Sequence, residues 1–416
     1  MEEKMKKTVV IIFTLCLLMS LAFADDMEIP TIMKPITNFQ YVAKTAPQHR
    51  DAPSYSFSKL PTPIITNYYD YMIGNYNGLP LKVIPQSAGG GYFMTYHGRR
   101  QAGGTRRVFY TYIDAQGNIQ TNNEITNLQN HEGYPTIEVD KLQGKPMYAW
   151  HANKDSDSEL EVEFASDAFL DGITGLFNYD IIINNPITIT APNGTTTTDN
   201  AFIWPNAQIG PSPIAGKQRI YVVARNSVTH NTSGSPSENP YIAYADFEPD
   251  DIINAIPLVW HYTSIPEMNQ WNVDVEWRRP FHAITADNAG NLYYAGYHFA
   301  TESDASTNID EPDLDVFICP NYGEGTWRRV SSYSHLNMWN PNSSPTDTTG
   351  YFESPVSGLP FGDNGELYFG IASGNSGHIN ATMDNLGRIH VFGVWSLQNI
   401  DGYYYPEMEF VKEFIF

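Results

Sequence analysis

The chain has 416 residues, with 24 lysines and arginines against 46 aspartates and glutamates, and its formal net charge at pH 7 is −22. This acidic balance argues against a nucleic acid or an anionic membrane surface as the partner, and its main expected effect is solubility. Two cysteines in the whole chain exclude a disulfide-rich scaffold, so stability must come from a hydrophobic core.

Residues 1–24 have the features of a secretory signal peptide. A lysine-rich start precedes an apolar run from Val9 to Leu21, and small residues follow up to Ala24. The apolar run is shorter than the roughly 20 residues that a bilayer span requires. We therefore predict export to the periplasm, the cell surface or the medium, with cleavage near Ala24 and no membrane insertion. One cysteine, Cys319, then remains, so no intramolecular disulfide can form.

A pattern of strand, tight turn and strand recurs along the rest of the chain. The first, weaker copy begins at Leu79, and clearer copies begin near Tyr134, Trp204, Arg279 and His378. Turns rich in Asp, Asn and Gly separate the strands, as hairpins require. Short alternating apolar and polar runs predict half-buried strands, and helical periodicity is almost absent. The pattern predicts an antiparallel all-β chain.

The spacing of the copies leaves room for four strands and their loops in each repeat. Repeats of this size bury their faces by stacking radially as propeller blades. We predict a single β-propeller of about five or six four-stranded antiparallel blades in residues 76–416. Residues 25–75 are predicted to be an N-terminal extension that adds a strand, closing the ring with the C-terminal strands. The extra length is predicted to lie in loops at 193–199, 226–237 and 303–313.

In a propeller, the first strand of each blade lines the central channel and begins at the face where the second strand ends. This channel face is predicted to gather histidine, arginine and tryptophan side chains. The predicted ligand-binding residues are Arg99, Arg100, Arg225, Arg278, Arg279, His97, His151, His298, Trp204 and Trp395. Arginines can hold a carboxylate or sulfate through paired N–H donors, and tryptophans can stack on a sugar ring. The alternative is that the repeated residues serve packing within the blades.

Carboxylates on or beside the first strands are the candidates for catalysis. Asp140, Asp287 and Asp384 precede the blade turns and are predicted to cap them. Turn capping does not explain Glu132 and Glu353, which are therefore the candidate catalytic pair. A glycosidase would need two carboxylates facing one another across the channel, and their separation would distinguish retaining from inverting chemistry. The spacing identifies no such pair, so whether the protein is an enzyme stays open.

An acidic stretch is the candidate metal site. Asp304, Asp310, Asp313 and Asp315 offer the hard oxygen ligands that calcium prefers. The stretch lacks the regular spacing of a dedicated calcium loop, so a solvated acidic loop is the other interpretation. Motifs for zinc proteases, serine hydrolases and phosphate loops are absent, and we expect no cofactor apart from this calcium candidate.

The blade pattern resembles secreted propellers of the sialidase-like superfamily, which includes proteins with Asp-box repeats. The nearest passage to the Asp-box order Ser-x-Asp-x-Gly-x-Thr-Trp is Asn321–Trp327, with Asn in place of Asp and one residue too many. The Arg-Ile-Pro motif of sialidases is missing from the start of the chain. The resemblance therefore implies the propeller fold and a ligand related to glycans, and it carries no catalytic residues over.

We predict from these features an exported, monomeric propeller that binds a glycan or another extracellular polymer at its channel face. Two alternatives stay open. One is a glycoside hydrolase of the sialidase-like or paired-carboxylate type, and the other is a structural scaffold at the cell surface or in the medium that binds a protein partner.

Overall fold

The structure of the chain is a computed structural model that describes residues 34–35, 56–57, 59–68, 79–126, 132–154, 159–228, 238–271, 281–300, 308–333, 368–371, 379–398 and 403–416. Within these residues the chain forms a β-propeller of five blades, each built from four antiparallel strands or nearly so. The predicted all-β propeller is thus confirmed. Among the described residues, no helix is both long and apolar enough to cross a membrane. The predicted signal peptide lies outside these residues.

The first two blades follow one another directly along the chain. Strand β1 (Lys34–Pro35) belongs to the last blade and is described with it. The first blade consists of β2 (Leu81–Val83), β3 (Tyr92–Gly98), β4 (Arg107–Ile113) and β5 (Ile119–Glu124). The second blade consists of β6 (Glu132–Val139), β7 (Pro146–Ala152), β8 (Glu161–Asp167) and β9 (Phe177–Ile183).

A two-stranded ribbon and two further blades come next. The ribbon consists of β10 (Ile187–Thr190) and β11 (Thr196–Asn200). The third blade consists of β12 (Phe202–Pro211), β13 (Gln218–Asn226), β14 (Pro240–Phe247) and β15 (His261–Ser264), with the short helix α1 (Pro249–Ile253) between its last two strands. The fourth blade consists of β16 (His282–Ala286), β17 (Leu292–Ala300), β18 (Asn308–Cys319) and β19 (Arg328–Tyr333). Single 3-10 turns lie at Gln86–Ala88, Met268–Gln270 and Asn321–Gly323.

The fifth blade joins both ends of the chain. Its strands are β20 (Tyr368–Ile371), β21 (Ile379–Met383), β22 (Ile389–Gln398), β23 (Tyr403–Ile415) and β1. Strands β20 and β21 lie one after the other along the same edge of β22. On the far side β1 runs parallel to β23, with Lys34 opposite Tyr403. The N-terminal extension thus supplies an outer strand, and closure of the ring between the fifth and first blades stays a prediction.

Two of the predicted loops are wrong. Part of the 193–199 segment is strand β11, because its threonines pair with β10 in a hairpin. Residues from Asn308 onward belong to strand β18 and pair with β17, so only the beginning of the 303–313 segment is left as a candidate loop, and it lies outside the described residues. The described residues form five blades, and β20, which lies in the long interval before the last copy of the repeat, belongs to the fifth of them.

The hydrophobic core lies between the blades, because alternate residues of a strand face opposite neighbours. Met147 of β7 belongs to the same buried cluster as Val222 of the third blade. Trp150 of β7 belongs instead to a cluster with Val108 of the first blade. Every central strand therefore needs apolar side chains on both faces, which explains why β7 is buried along its whole length.

The turns between first and second strands are held by aspartates, as predicted. The Asp287 carboxylate accepts hydrogen bonds from the backbone N–H groups of Ala289 (2.9 Å) and Asn291 (2.8 Å). Asp384 makes the corresponding bonds in the fifth blade, and Asp140 accepts three backbone N–H bonds in the second. The predicted structural role of these aspartates is confirmed.

Candidate functional site at the channel face

Two aromatic residues near the starts of inner strands share an unusual backbone conformation. Tyr134 of β6 and Trp204 of β12 each precede a proline and have positive φ angles of 52° and 58°. Each lies in a bulge, where the register with the second strand of the blade shifts. Bulky residues rarely adopt this left-handed conformation, which persists only where the surrounding structure imposes it. Bulges of this kind redirect side chains and are common next to functional sites.

The ring of Tyr134 is the centre of a cluster built from three blades. His97 of β3 lies 5.2 Å from it, edge on, and His151 of β7 lies 4.7 Å away, measured between ring centroids. The ring of Trp204 is 6.3 Å away. The guanidinium carbon of Arg106 lies 5.5 Å from the ring centroid. We call these five residues the Tyr134 cluster.

Hydrogen bonds fix the cluster from several directions. The backbone N–H of Tyr134 donates to Nδ1 of His97 over 3.0 Å. Arg106 donates from Nε to the carbonyl oxygen of Glu132, and its Nη2 lies 3.5 Å from Nε2 of His151. A Cβ atom added to Gly133 would stand only 2.8 Å from the Arg106 guanidinium, so a larger residue there would force this buried side chain to shift. These contacts fix the backbone of Tyr134 and the side chains that surround its ring.

The fourth blade supports Trp204 from the other side. Nε2 of His282 lies 2.9 Å from the carbonyl oxygen of Trp204. Burial, together with the charge of Arg225, lowers the pKa of His282 to about 3, so its imidazole is neutral and Nε2–H donates to that carbonyl. The bulged backbone of Trp204 is thus anchored by a hydrogen bond from the neighbouring inner strand.

Only one side chain of the cluster is accessible. His97 and His151 are each 1% exposed, and Trp204 and Arg106 are each 4% exposed, whereas Tyr134 is partly exposed. The structure therefore brings together three predicted residues, His97, His151 and Trp204, as neighbours of a ring that the sequence analysis did not single out. Direct contact of those three with a ligand stays a prediction.

Tyr134 could have been found from the sequence, and Arg106 could not. Tyr134-Pro135 and Trp204-Pro205 are matching dipeptides in the repeat, each an aromatic residue before proline. Arg106 precedes β4 in a pair of arginines without any repeat counterpart. Its role depends on the approach of the first blade to Gly133, which only the tertiary structure shows.

Glu132, one of the two candidate catalytic carboxylates, begins β6 two residues before Tyr134, and its backbone carbonyl accepts the hydrogen bond from Arg106. Its side chain is 0% exposed. Thr126 donates a hydrogen bond from Oγ1 to Oε1, and the backbone N–H of Val108 donates to Oε2 over 3.3 Å. Burial raises its pKa to about 7, and the charge of Glu163 acts in the same direction. This carboxyl group therefore changes its protonation near neutral pH.

Arg225 lies at the boundary between the third and fourth blades. It is 3% exposed, and its guanidinium donates to the backbone carbonyls of Phe281 (3.2 Å) and Tyr297. Its Nη2 lies 3.4 Å from a carboxylate oxygen of Glu238. Its donors thus join two blades together instead of pointing from an open face.

Arg99 and Arg100 directly follow β3, which ends at Gly98. Arg100 is the more accessible, with its side chain 51% exposed, its Nε 2.7 Å from a Glu124 oxygen and its guanidinium 4.9 Å from the centroid of the Phe109 ring. The backbone N–H of Arg99 donates to the Asn67 side chain over 2.9 Å. Arg278, Arg279, Glu353 and the side chain of Trp395 lie outside the described residues.

His298 lies on the opposite face of its strand from the position that matches His97 and His151. In β17 the matching position is Tyr297, which packs toward the fifth blade. His298 contacts Asp315, and its ring lies 4.4 Å from the Trp271 ring at a tilt of 32°, measured between centroids and ring planes. Both His298 and Asp315 are 1% exposed. The prediction that the three histidines occupy related positions is wrong for His298, because neighbouring residues of a strand point to opposite faces.

Among the described residues, the predicted calcium ligands do not form a cluster. Asp315 is paired with His298 and lies 3.4 Å from Nε of Arg329, and Asp313 is opposite His298 in the strand register. Asp310 is described only by its backbone in β18, and Asp304 lies outside the described residues. In the described part of the chain, no three histidine, cysteine or carboxylate residues are grouped to hold a metal ion. Calcium binding stays a prediction.

Fold and site together define a five-bladed β-propeller with a buried, partly aromatic cluster at its channel face. No protein-family model and no curated protein matches the sequence. One solved structure that it resembles is a thermostable family-43 glycoside hydrolase, which is 13% identical in sequence. The alignment covers 84% of this chain and 92% of that one, with a TM-score of 0.36. A GH43 β-1,3-galactosidase with galactodeoxynojirimycin has 9% identity, 79% and 93% coverage and a TM-score of 0.37. A sialidase from Streptococcus pneumoniae has 8% identity, 74% and 36% coverage and a TM-score of 0.35. These likenesses concern the fold.

Proposed function

We propose that this protein binds a glycan at its channel face, with the ring of Tyr134 as the platform for one sugar unit. The observation that carries the proposal is that Tyr134 is the accessible ring in a cluster whose other members are buried. The apolar C–H face of a sugar packs well against an aromatic ring, and a tyrosine also offers a hydroxyl for hydrogen bonding.

The backbone of Tyr134 supports a binding role. Holding a non-glycine residue at a φ of 52° opposes the local preference of the chain, and strain of this kind is concentrated at binding and catalytic sites. Because His97, His151 and Arg106 fix the ring beforehand, little side-chain freedom is lost when a ligand binds. Export, predicted from residues 1–24, would bring this face to extracellular glycans.

Hydrolysis of a glycan is the second candidate, favoured by the raised pKa of Glu132. A carboxyl group with a pKa of about 7 is suited to general acid catalysis. Glu163 is a second carboxylate, close enough for its charge to raise the pKa of Glu132 further. However, the Glu132 side chain is wholly buried, and Glu163 lies 3.0 Å from the Lys154 ammonium. A side chain that is wholly buried offers no atom to a substrate in this arrangement, so the geometry supports binding better than hydrolysis.

The test is a glycan array and a chromogenic-glycoside screen, both run on the purified protein and on Tyr134→Asn, Tyr134→Phe and Glu132→Gln variants. Asparagine tolerates the left-handed conformation, so Tyr134→Asn removes the ring without adding backbone strain. We expect glycan binding by the wild type and by Tyr134→Phe, and loss of about tenfold or more in affinity for Tyr134→Asn.

Other results would point elsewhere. Turnover of a glycoside that Glu132→Gln abolishes would favour the hydrolase. If neither assay gave a signal with the wild-type protein, the glycan proposal would be refuted and the scaffold alternative, with a protein partner, would take its place. Thermal unfolding of each variant establishes that it is folded.

A further inference from the structure

A pocket of about 760 Å³ lies between the first and second blades, outside the Tyr134 cluster. Ligand sites in proteins commonly enclose about 300–1,000 Å³. Strands β4 and β5 with the segment after them form one wall, and β8, β9 and Lys154 form the other. The pocket is therefore large enough for one or two sugar units, and it is built by two blades.

The charged side chains of the pocket are already paired. Arg100 lies 2.7 Å from Glu124, and Lys154 lies 3.0 Å from Glu163. Two cations and two carboxylates leave no net charge, so an incoming carboxylate or sulfate would have to displace a protein carboxylate from its cation. Hydroxyl groups can instead donate to the carboxylates and accept from the cations without breaking either pair. This arrangement favours a neutral ligand rich in hydroxyl groups.

An exposed aromatic ring lines the same pocket. Tyr179 is 45% exposed, and its hydroxyl donates to the backbone carbonyl of Ile125 over 2.6 Å, across the boundary between the blades. Phe177 lies 5.8 Å from this ring and 5.2 Å, edge on, from Tyr110, measured between centroids. The Tyr179 ring is thus fixed at its hydroxyl end and supported from the side, as a preorganised platform would be.

We propose that this pocket is a second carbohydrate site, which binds an uncharged pyranose unit against Tyr179. The inference rests on the proposed function, because it takes a glycan as the ligand. It adds a separate site and restricts the ligand there to neutral sugars. The two proposed sites use different tyrosines, so the contribution of each tyrosine ring can be tested by a separate substitution.

The repeat supplies a matched control for the structural role of Tyr179. Tyr262 occupies the corresponding outer strand, β15, of the third blade and is 46% exposed. Its hydroxyl donates to the backbone carbonyl of Ile182 in the second blade over 2.9 Å. Tyr262 lines a different pocket, of about 520 Å³, which also contains the carboxylates of Asp246 and Glu324. The two tyrosines share the docking hydrogen bond and differ in what surrounds the ring.

The experiment uses Tyr179→Ala, Tyr179→Phe and Tyr262→Ala variants of the whole protein. Each is applied to an array of neutral oligosaccharides and of their sialylated or uronate-bearing counterparts, and the neutral glycan with the strongest signal is titrated by calorimetry. We expect Tyr179→Ala to weaken binding by about tenfold or more, while Tyr179→Phe and Tyr262→Ala stay within about twofold of the wild type. Sialylation should not strengthen binding.

The outcomes separate this inference from the proposed function. If Tyr134→Asn abolishes binding and Tyr179→Ala leaves it unchanged, the second site is wrong and the proposed function stands. Equal losses in Tyr179→Ala and Tyr262→Ala would assign Tyr179 to blade docking alone and overturn the inference. Binding confined to acidic glycans would overturn its neutral specificity, and absence of any glycan binding by the wild type would refute both proposals.

Discussion

Replacement of Glu132 by glutamine tests how burial controls this carboxyl group. The folded protein holds the Glu132 proton more tightly than the unfolded chain does, because burial disfavours the ionised form. The free energy of unfolding should therefore fall as the pH rises from about 4.5 to about 7, and it should stay lower above that. Glutamine has nearly the same shape and no charge, so Glu132→Gln should lack this pH dependence.

The size of the effect follows from the pKa. A glutamate ordinarily titrates at 4.5, and Glu132 is raised to about 7. Since a difference of one in pKa corresponds to about 1.4 kcal/mol, ionisation of Glu132 should destabilise the fold by about 3 kcal/mol. The glutamine amide can accept one hydrogen bond, from Thr126 or from Val108, and loses the other, at a cost of about 1–2 kcal/mol at every pH. The variant should therefore be the less stable protein at pH 5 and the more stable one at pH 8.

Urea unfolding followed by tryptophan fluorescence at pH 5 and pH 8 would measure this. At each pH, the unfolding free energy of the wild type is subtracted from that of the variant. The quantity to compare is how much this difference changes from pH 5 to pH 8. We expect about 2.5 kcal/mol in favour of Glu132→Gln, because the unfolded chain is already largely ionised at this position at pH 5 and part of the full effect is lost by then. Asp171→Asn is the control, because Asp171 is an exposed carboxylate in a left-handed turn position that asparagine tolerates. The change measured for Glu132→Gln is compared with the change measured for this variant.

A difference that stays the same at pH 5 and pH 8 for Glu132→Gln would refute the reasoning. It would mean that the folded protein accommodates the ionised carboxylate as well as water does. The hydrogen bonds from Thr126 and Val108 would then outweigh the burial of Glu132, and the argument that favours this residue as a general acid would fail with it.

Two further substitutions test contacts between blades. Arg219→Ala should destabilise the fold by about 3–5 kcal/mol, because it removes a 2%-exposed guanidinium that lies 2.6 Å from Asp246 of its own blade and 2.8 Å from Glu324 of the fourth blade. Thermal unfolding would show this against Arg388→Ala, a half-exposed arginine whose loss should have little effect, and equal losses would contradict the prediction. Gly133→Ala should cost about 1–3 kcal/mol, because its Cβ would stand 2.8 Å from Arg106. An unchanged melting temperature would show that Arg106 moves aside freely.

The strands and turns could be predicted because their signals are local. A tight turn needs a residue that can accept backbone N–H bonds, and Asp287 does so at the place its sequence context predicted. The alternation of apolar and polar residues from Glu159 to Phe164 likewise predicted a strand, and most of this run lies in β8. Repetition then made one blade a template for the others, so the architecture followed from few observations.

The candidate site was only partly predictable, and its errors have a common cause. His298 was grouped with His97 and His151 because each lies near the end of the second strand of its blade, yet it faces the opposite neighbour. In a strand, a shift of one residue reverses the direction of the side chain. The sequence does not fix the register of β17 to that accuracy, and pairing with β16 and β18 does.

The sequence alone predicted an all-β repeat protein with aspartates that cap its turns, because these features depend on residue type and spacing along the chain. Only the tertiary structure showed that Tyr134 is the accessible ring of its cluster, that Glu132 is buried and that Tyr179 lines a pocket between two blades. Exposure and pKa depend on which surfaces the blades cover when they pack together. They are properties of the assembled ring of blades and cannot be read from one repeat.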